Sequence, residues 1–470
     1  MRMELLPSSF LALVVLAALA VTGPYRGLAL FLATTCFGAA AAFNLPALGG
    51  ASILIADIAA LMMFALVALR RDGPGLIAGS MRLGEPGFWL LLLALFAILA
   101  TLFFPRLFEG QTLVFSLTRD LGEEGIIAIP LRPSAGNLTQ LFRLMLGVAI
   151  FYALATVFRL RPDGPHVLRA IAVLTAVNVG LGWIDVLSHA IGLPHLLDLI
   201  RSANYAMLDD VYMAGVKRMV GGYPEASAYG YFSLGIFAFW ARYWISAPRL
   251  PMAGIMLALS TIAILHSTSS ASYVATLAFL LVTAALAMLA RLRSQVSRRG
   301  LAVSTFAFVL TGLTALLLIT SYAFLAPVQN FFDNVLFDKL ASDSGVERMS
   351  WNAQAFKNFL ETRMMGAGLG SVRASSWIMA TLASLGVIGT LLFLLFIASV
   401  LKPLPRNAGT GTRAITIAAL KSACLGLLIS SLLTGATPDL GLIFFACAGL
   451  AAGLSRGAIL QHRDRAQPPL

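Results

Sequence analysis

Charge is what this sequence has least of. Only 11% of its 470 residues are Asp, Glu, Lys or Arg, while 59% are hydrophobic; soluble domains carry about 25% charged residues. That scarcity excludes a soluble globular fold and leaves a polytopic membrane protein. Cysteine is scarce as well. Cys36, Cys424 and Cys447 all fall inside apolar runs, where they read as small packing residues rather than a disulfide or metal set. Five histidines are scattered, with no His-x-x-x-His or Cys-x-x-Cys spacing, so a bound metal has no evident ligand set and no metal or other cofactor is expected. No fixed-period repeat, low-complexity segment or independently folding soluble domain stands out. The net charge of +12 could suggest nucleic acid, but the cations sit in short clusters between apolar runs, and nucleic acid is not an expected partner.

What is present is a succession of apolar runs. They lie near 7–22, 27–43, 51–69, 87–104, 140–158, 167–189, 225–245, 251–266, 272–290, 301–323, 375–400, 414–434 and 438–455. A helix that meets lipid satisfies its own backbone, so runs near 20 residues read as spans. The fold class expected is all-α, polytopic and integral to the membrane, with about twelve to thirteen transmembrane helices forming one domain over 1–470. The N-terminal run has only Arg2 before it and reads as a span rather than a cleavable signal. Every second connection is basic: Arg70/Arg71/Arg82, Arg159/Arg161/Arg169, Arg242/Arg249, Arg291/Arg293/Arg298/Arg299 and Lys402/Arg406/Arg413. By the positive-inside rule these face the cytoplasm. The C-terminal tail, with Arg456, Arg463 and Arg465, joins them, and the N-terminus lies outside.

Three long connections then fall on the outer face. The first, 105–139, holds two β-prone runs around Leu121-Gly-Glu-Glu-Gly125, which predicts a hairpin. The second covers 191–224. The third, 324–374, precedes the eleventh span. In it Met349 to Leu360 places Trp351, Phe356, Phe359 and Leu360 on roughly one face, which predicts an amphipathic surface helix over 349–362.

Candidate chemistry concentrates in the outer loops. Arg218, Arg348 and Arg373 each stand beside a span or at the head of the amphipathic stretch. Guanidinium stays charged and binds phosphate oxygens through a planar fork, so a diphosphate ligand would give these cations a purpose. Glu225 follows a proline at the mouth of a span, within seven residues of Arg218. It is either a helix-start carboxylate favoured by the macrodipole or a general base at the lipid–water boundary. Gly366-Ala-Gly368-Leu-Gly370 lacks the βαβ context of a dinucleotide site. It reads as a close-packing turn or as a nest of N–H groups for an anion. Asp57, Arg143, Asp185 and Lys421 lie within spans and must be paired or face water; ion pairs between helices are the expected reading.

These residues carry a resemblance. Arg218 to Phe232, with its Gly-Gly-Tyr-Pro-Glu-Ala-Ser-Ala-Tyr core, is similar to a segment of the O-antigen polymerase/ligase superfamily. Arg348-x-x-Trp351-x-x-x-Ala-Phe, Gly366-x-Gly368-x-Gly370-Ser371 and Ser384-Leu-Gly386-Val-Ile-Gly389 resemble the same superfamily's large periplasmic loop and following helix. Together they cover roughly 200–400. Ligases of the family typically carry a His-Asn pair at the positions that here are Ser375 and Ser376. Pro224-Glu225-Ala-Ser227 and the Pro105-Arg106 and Pro130-Leu-Arg132 segments look more like polymerase members of the Wzy kind.

The resemblance implies a GT-C-like membrane glycosyltransferase of the bacterial inner membrane, with its site facing the periplasm. It would join undecaprenyl-diphosphate-linked oligosaccharide repeat units into a surface polysaccharide or exopolysaccharide, by inverting transfer without a metal. Its partners would be the bilayer and the chain-length and export proteins of the same pathway. In that reading Arg218 and Arg348 bind diphosphate, with Arg373 or Arg106 assisting, and Glu225 is the base or orients the acceptor. Tyr223, Trp351 and Ser375 line the sugar site, with Ser227 and Ser371 among the substrate contacts. A ligase is the nearest alternative. A lipid-linked oligosaccharide flippase is the alternative from another class, and it would call for functional groups at the membrane midplane and internal repeats.

Overall fold

The structure is a computed structural model that describes residues 4–45, 51–118, 125–213, 216–247, 249–292, 343–403 and 411–466. The protein is mostly helical and polytopic. Eight of the described helices are long and apolar enough to cross a membrane: Pro7–Arg26, Pro86–Leu107, Ala135–Leu160, Gly164–Ala190, Ser270–Leu289, Trp377–Leu401, Thr412–Thr434 and Gly441–His462. Several carry outward apolar stripes at helical spacing, such as Leu95, Leu99, Leu102 and Phe103, or Val387, Ile388, Leu391 and Leu394. Such stripes suit lipid rather than water.

Eight is fewer than the twelve to thirteen expected, and each difference has a cause. The runs at 51–69 and 251–266 yield helices of 14 and 16 residues, Ile55–Ala68 and Pro251–His266. Ala226–Ser246 has the length, with 21 residues, but carries Tyr229, Tyr231, Ser233, Arg242 and Tyr243 and packs largely inside the bundle. The run at 301–323 lies outside the described residues. The run at 27–43 is not one helix. Leu28–Thr34 makes about two turns, and the chain then continues as the strand Ala41–Leu45. Extended backbone at this depth needs protein partners. It finds them: Ala39 N–H donates to Gly222 O (2.9 Å), Ala203 N–H to Ala39 O (2.9 Å), and Ala41 N–H to Ser202 Oγ (3.1 Å).

The helices are held together by close approach and aromatic packing. Gly449, Gly453 and Gly457 recur every fourth residue and face the helix Ala135–Leu160. A Cβ on any of them would lie 2.6–2.7 Å from the carbonyl oxygens of Phe151, Ala155 or Arg159. This is the small-residue seam by which membrane helices pack without a hydrophobic driving force. Beside it Phe151, Phe393, Phe396, Phe444 and Phe445 interlock as tilted, edge-on and stacked rings.

The bundle has two unlike ends. At one, Tyr25 Oη donates to Asp163 (2.7 Å) and its ring stacks on His166, Arg456 pairs with Glu85 (3.3 Å), and Arg413 donates to Gln461 (2.8 Å). The other end carries the small sheets. Glu4–Leu5, Ala41–Leu45 and Ala51–Leu54 form a three-stranded antiparallel sheet, and Tyr212–Met213 pairs with Val216–Lys217. Leu113–Thr118 pairs with Gly125–Pro130, Leu113 opposite Pro130. Leu121-Gly-Glu-Glu-Gly125, read from the sequence as the turn, lies outside the described residues except for Gly125, which opens the second strand. The helix Asp343–Glu361 lies at this end too and begins before the 349–362 stretch.

Candidate functional site at the loop end

The segment 191–225 is anchored by a buried charge cluster. Asp185 is fully buried near the end of its helix. Its Oδ1 lies 2.7 Å from Arg201 Nη2 and 3.6 Å from Lys217 Nζ, and its Oδ2 accepts the N–H groups of Val220 (2.8 Å) and Gly221 (3.2 Å). Arg201 also reaches Asp209 (2.8 Å) and the Gly221 carbonyl (2.7 Å). The partners of this intramembrane carboxylate are therefore loop cations, not another helix. Burial pulls the Lys217 amine below its usual range, with Asp185 opposing. Because Asp185 Oδ2 accepts the Val220 and Gly221 N–H groups directly, the cluster sets the position of the next residues, Arg218 to Glu225.

Arg218 is held from a different direction. Met219 N–H donates to His266 O (3.1 Å), which brings the chain beside the turn joining Pro251–His266 to the next helix. There Arg218 Nε donates to Thr268 Oγ1 (3.2 Å) and Ser267 O (3.4 Å). Neither terminal nitrogen of Arg218 meets an acceptor among the described residues. Thr268 has φ of +47°. A β-branched residue in that region is an outlier costing on the order of 1–3 kcal/mol, where glycine would be relaxed. Gly230 lets the turn approach: a Cβ there would lie 2.0 Å from Ser272 Oγ.

Glu225 is the N-terminal boundary residue of Ala226–Ser246 but does not cap it. Instead its Oε1 accepts from Ser227 Oγ, and Leu208 donates to the Pro224 carbonyl beside it (2.8 Å). The carboxylate is half-buried. Its charge acts on both Arg218 and Arg373, opposing the burial that draws each guanidinium below its ordinary range; Arg348 adds repulsion at Arg218, and Glu347 adds attraction at Arg373.

The third wall is the helix Asp343–Glu361. Gln354 and Asn358 donate to the Leu113 carbonyl (2.6 Å each), and Thr112 donates to Glu361. These bonds clamp the helix to the hairpin. Its inner face buries Ala355, Asn358 and Phe359, while Phe356 and Leu360 stay about half exposed. The apolar residues expected on one face are thus divided between two. Toward the site, Arg373 lies over the Trp351 ring, 4.5 Å from its centre, a cation–π contact. The Trp351 indole N–H is buried without an acceptor. Asn352 accepts the Ser375 N–H (2.8 Å).

The glycine run serves packing, not an anion. Trp377–Leu401 breaks at Gly386 (φ +63°, ψ −164°), which frees carbonyls of the preceding turn. Ala367 N–H donates to Ala383 O (2.8 Å) and Gly368 N–H to Ser384 O (2.9 Å), while Gly366 N–H goes to Thr362 Oγ1 (3.2 Å). Gly366 and Gly386 have positive φ and touch backbone to backbone. With these N–H groups committed, the nest reading fails at Gly366, Ala367 and Gly368; the kinked helix needed them first.

Of the residues singled out from sequence, Arg218, Glu225, Ser227, Arg348, Trp351, Arg373 and Ser375 are brought to this end by three separate elements. Three others are placed elsewhere. Tyr223 is buried against the backbone of Gly38, with its ring against Tyr229 and Phe232 and its hydroxyl donating to Thr35 O (3.3 Å). It cannot line a sugar site. Arg106 is exposed and donates to Leu102 O of its own helix (2.6 Å). Ser371 accepts from Asn137 (2.8 Å), whose amide also donates to Leu369 O (2.6 Å), so it ties two elements together.

Sequence reading missed Thr268 and Tyr273, although the polar run Ser267-Thr-Ser-Ser270 was a signal once alternation put it on the same face as Arg218. It also missed that Asp439 shares a buried neighbourhood with Asp57 and Arg143. Arg143 there donates to Tyr205 Oη (2.5 Å). Lys421, the fourth intramembrane charge, donates to Lys402 O (2.5 Å).

Chemically, the described residues bring three guanidinium groups and two carboxylates, Glu225 and Glu347, to the mouth. None of the three arginines is within 4 Å of a carboxylate among the described residues. Guanidinium donors that meet no acceptor among the described residues suit a multiply charged oxyanion. Compared with known proteins, the chain matches no family model and no curated sequence.

Proposed function

We propose that this protein is a membrane glycosyltransferase of GT-C-like architecture, a polysaccharide polymerase acting on undecaprenyl-diphosphate-linked oligosaccharides at the outer face of a bacterial inner membrane. The observation that carries the reading is that Arg218 and Arg373 both lie in the field of Glu225, with Arg348 close enough to repel Arg218, while most of their donors meet no acceptor among the described residues. A diphosphate bound there would supply the missing negative charge. The polyprenyl tail would lie along the lipid-exposed helices and the sugars would extend outward past Trp351.

In the reaction, the anomeric carbon–oxygen bond to the diphosphate breaks and its electron pair leaves with the diphosphate. An acceptor hydroxyl attacks the opposite face of the anomeric carbon, giving inversion, and its proton passes to Glu225. Guanidinium groups aimed at the departing oxygens stabilise charge where it develops, the term that contributes most in such sites. The Ser227 hydroxyl orients the carboxylate of Glu225 and leaves its other oxygen for the acceptor. Ser375 and Ser376, where ligases of the resembling superfamily carry His-Asn, favour polymerisation over transfer to a lipid A core.

Arg348→Ala should abolish long polymer while single lipid-linked repeat units accumulate in the membrane. This is read by gel analysis of polysaccharide and of extracted lipid-linked sugars in a deletion strain expressing the variant. Normal chain length from well-expressed Arg348→Ala would sink the assignment. Polymer of normal length retained on the lipid carrier in the deletion strain itself would point instead to a ligase.

A further inference from the structure

We infer that Thr268 is a positioning residue for Arg218, held in a strained backbone conformation so that its hydroxyl fixes the guanidinium. The inference rests on the diphosphate-binding reading of Arg218. Three observations converge on it. Thr268 has φ of +47° in a tight turn, where glycine or asparagine would sit without strain. Its hydroxyl is the only side chain among the described residues that Arg218 contacts through a hydrogen bond, at 3.2 Å. The contact is made at Nε, with Ser267 O as a second acceptor at 3.4 Å, so the fork of terminal nitrogens remains free to face an oxyanion.

The rest of the turn supports that aim. Tyr273 Oη donates to Leu265 O (2.6 Å), and Ser267 Oγ donates to Ile264 O (2.6 Å). Both bonds pin the turn onto the end of the preceding helix. Gly230 removes the side chain that would keep the turn away from the start of Ala226–Ser246, and with it from Glu225. An unheld arginine would sample many rotamers, and binding would then cost the entropy of ordering it. Thr268 orders it beforehand.

The test compares four variants of the full-length protein in nanodiscs, with inorganic pyrophosphate as the binding probe and polymer formation from lipid-linked repeat units as the activity. Thr268→Gly relieves the backbone and deletes the hydroxyl. It should melt at or above the wild-type temperature yet bind pyrophosphate about tenfold more weakly and make less polymer. A residue that merely shaped the turn would not separate stability from affinity in that direction. Thr268→Val keeps the shape and the strain, and should lose affinity equally; it also stands in if the glycine variant does not fold. Thr268→Ser should restore most of the affinity.

Wild-type pyrophosphate affinity and polymer in Thr268→Gly or Thr268→Val, with Arg218→Ala losing both, would overturn the role of Thr268 and leave the function of the site intact. Loss in Thr268→Ser equal to that in Thr268→Val would overturn it as well, because the hydroxyl would not be the cause. Normal polymer from Arg218→Ala would instead remove the diphosphate reading from which the inference starts.

Discussion

At the scale of single residues, the same charge means different things depending on what surrounds it. Arg201 and Arg218 stand in one loop, seventeen positions apart. Arg201 is consumed by Asp185, Asp209 and the Gly221 carbonyl, while Arg218 spends only its Nε. Among the described residues, the first meets protein acceptors at all three of its nitrogens and the second at Nε alone. Asp185→Asn should expose the difference. It leaves Lys217 buried without its carboxylate and Arg201 with Asp209 alone, a loss of about 3–5 kcal/mol for a broken buried pair. A clearly lower melting midpoint in detergent, with the loop more readily cleaved by protease, is the expected result; an unchanged midpoint would mean the cluster is hydrated and worth little. No sequence pattern distinguishes the two arginines, because the partner that decides lies in the preceding helix.

Helices and turns make a second level of argument. Trp377–Leu401 is broken at Gly386, and the chain ahead of it bends through Gly366 to fill the break. The two elements complete each other's hydrogen bonding, so neither is stable in this form alone. Gly386→Ala would put a Cβ 2.3 Å from the Met365 carbonyl on a backbone of positive φ. It should cost about 2 kcal/mol or more and shift Arg373 and Ser375, which follow the turn directly. Reduced thermal stability together with reduced polymer is the expected outcome, measured on the same purified sample. Full activity at wild-type stability would show that the break is dispensable. The clamp of Gln354, Asn358 and Glu361 onto the hairpin belongs to the same level: it ties together two segments distant in sequence.

For the whole molecule, the question is how the two ends are kept in register across the membrane. The helix Gly441–Ala466 runs from the neighbourhood of Asp439 at one end to the Arg413–Gln461 contact at the other. Its glycine seam against Ala135–Leu160 is what lets it lie flush. Gly453→Leu should force the helices apart at mid-membrane and lower the yield of monodisperse protein on size exclusion several-fold. The same substitution at Gly180, where a Cβ would meet nothing within 4 Å, should be neutral. Equal behaviour of the two would refute the seam as the organising contact.

Much of this design was readable from the sequence by itself. Scarce charge and long apolar runs dictate a membrane protein, since in lipid the backbone must satisfy itself within a helix. The β-prone runs on either side of Leu121-Gly-Glu-Glu-Gly125 and the start of a helix after Pro224-Glu225 both follow from local chemistry. Tertiary structure decided the remainder, because it depends on partners far along the chain. Tyr223 is withdrawn into the core because Gly38, distant in sequence, leaves room for its ring. The N–H groups of Ala367 and Gly368 are spent on carbonyls that only the break at Gly386 releases. Thr268 matters because Met219 and Gly230 bring its turn to Arg218. Composition and period state what each segment must bury; which free group is left facing the mouth is settled only when all of the segments have met.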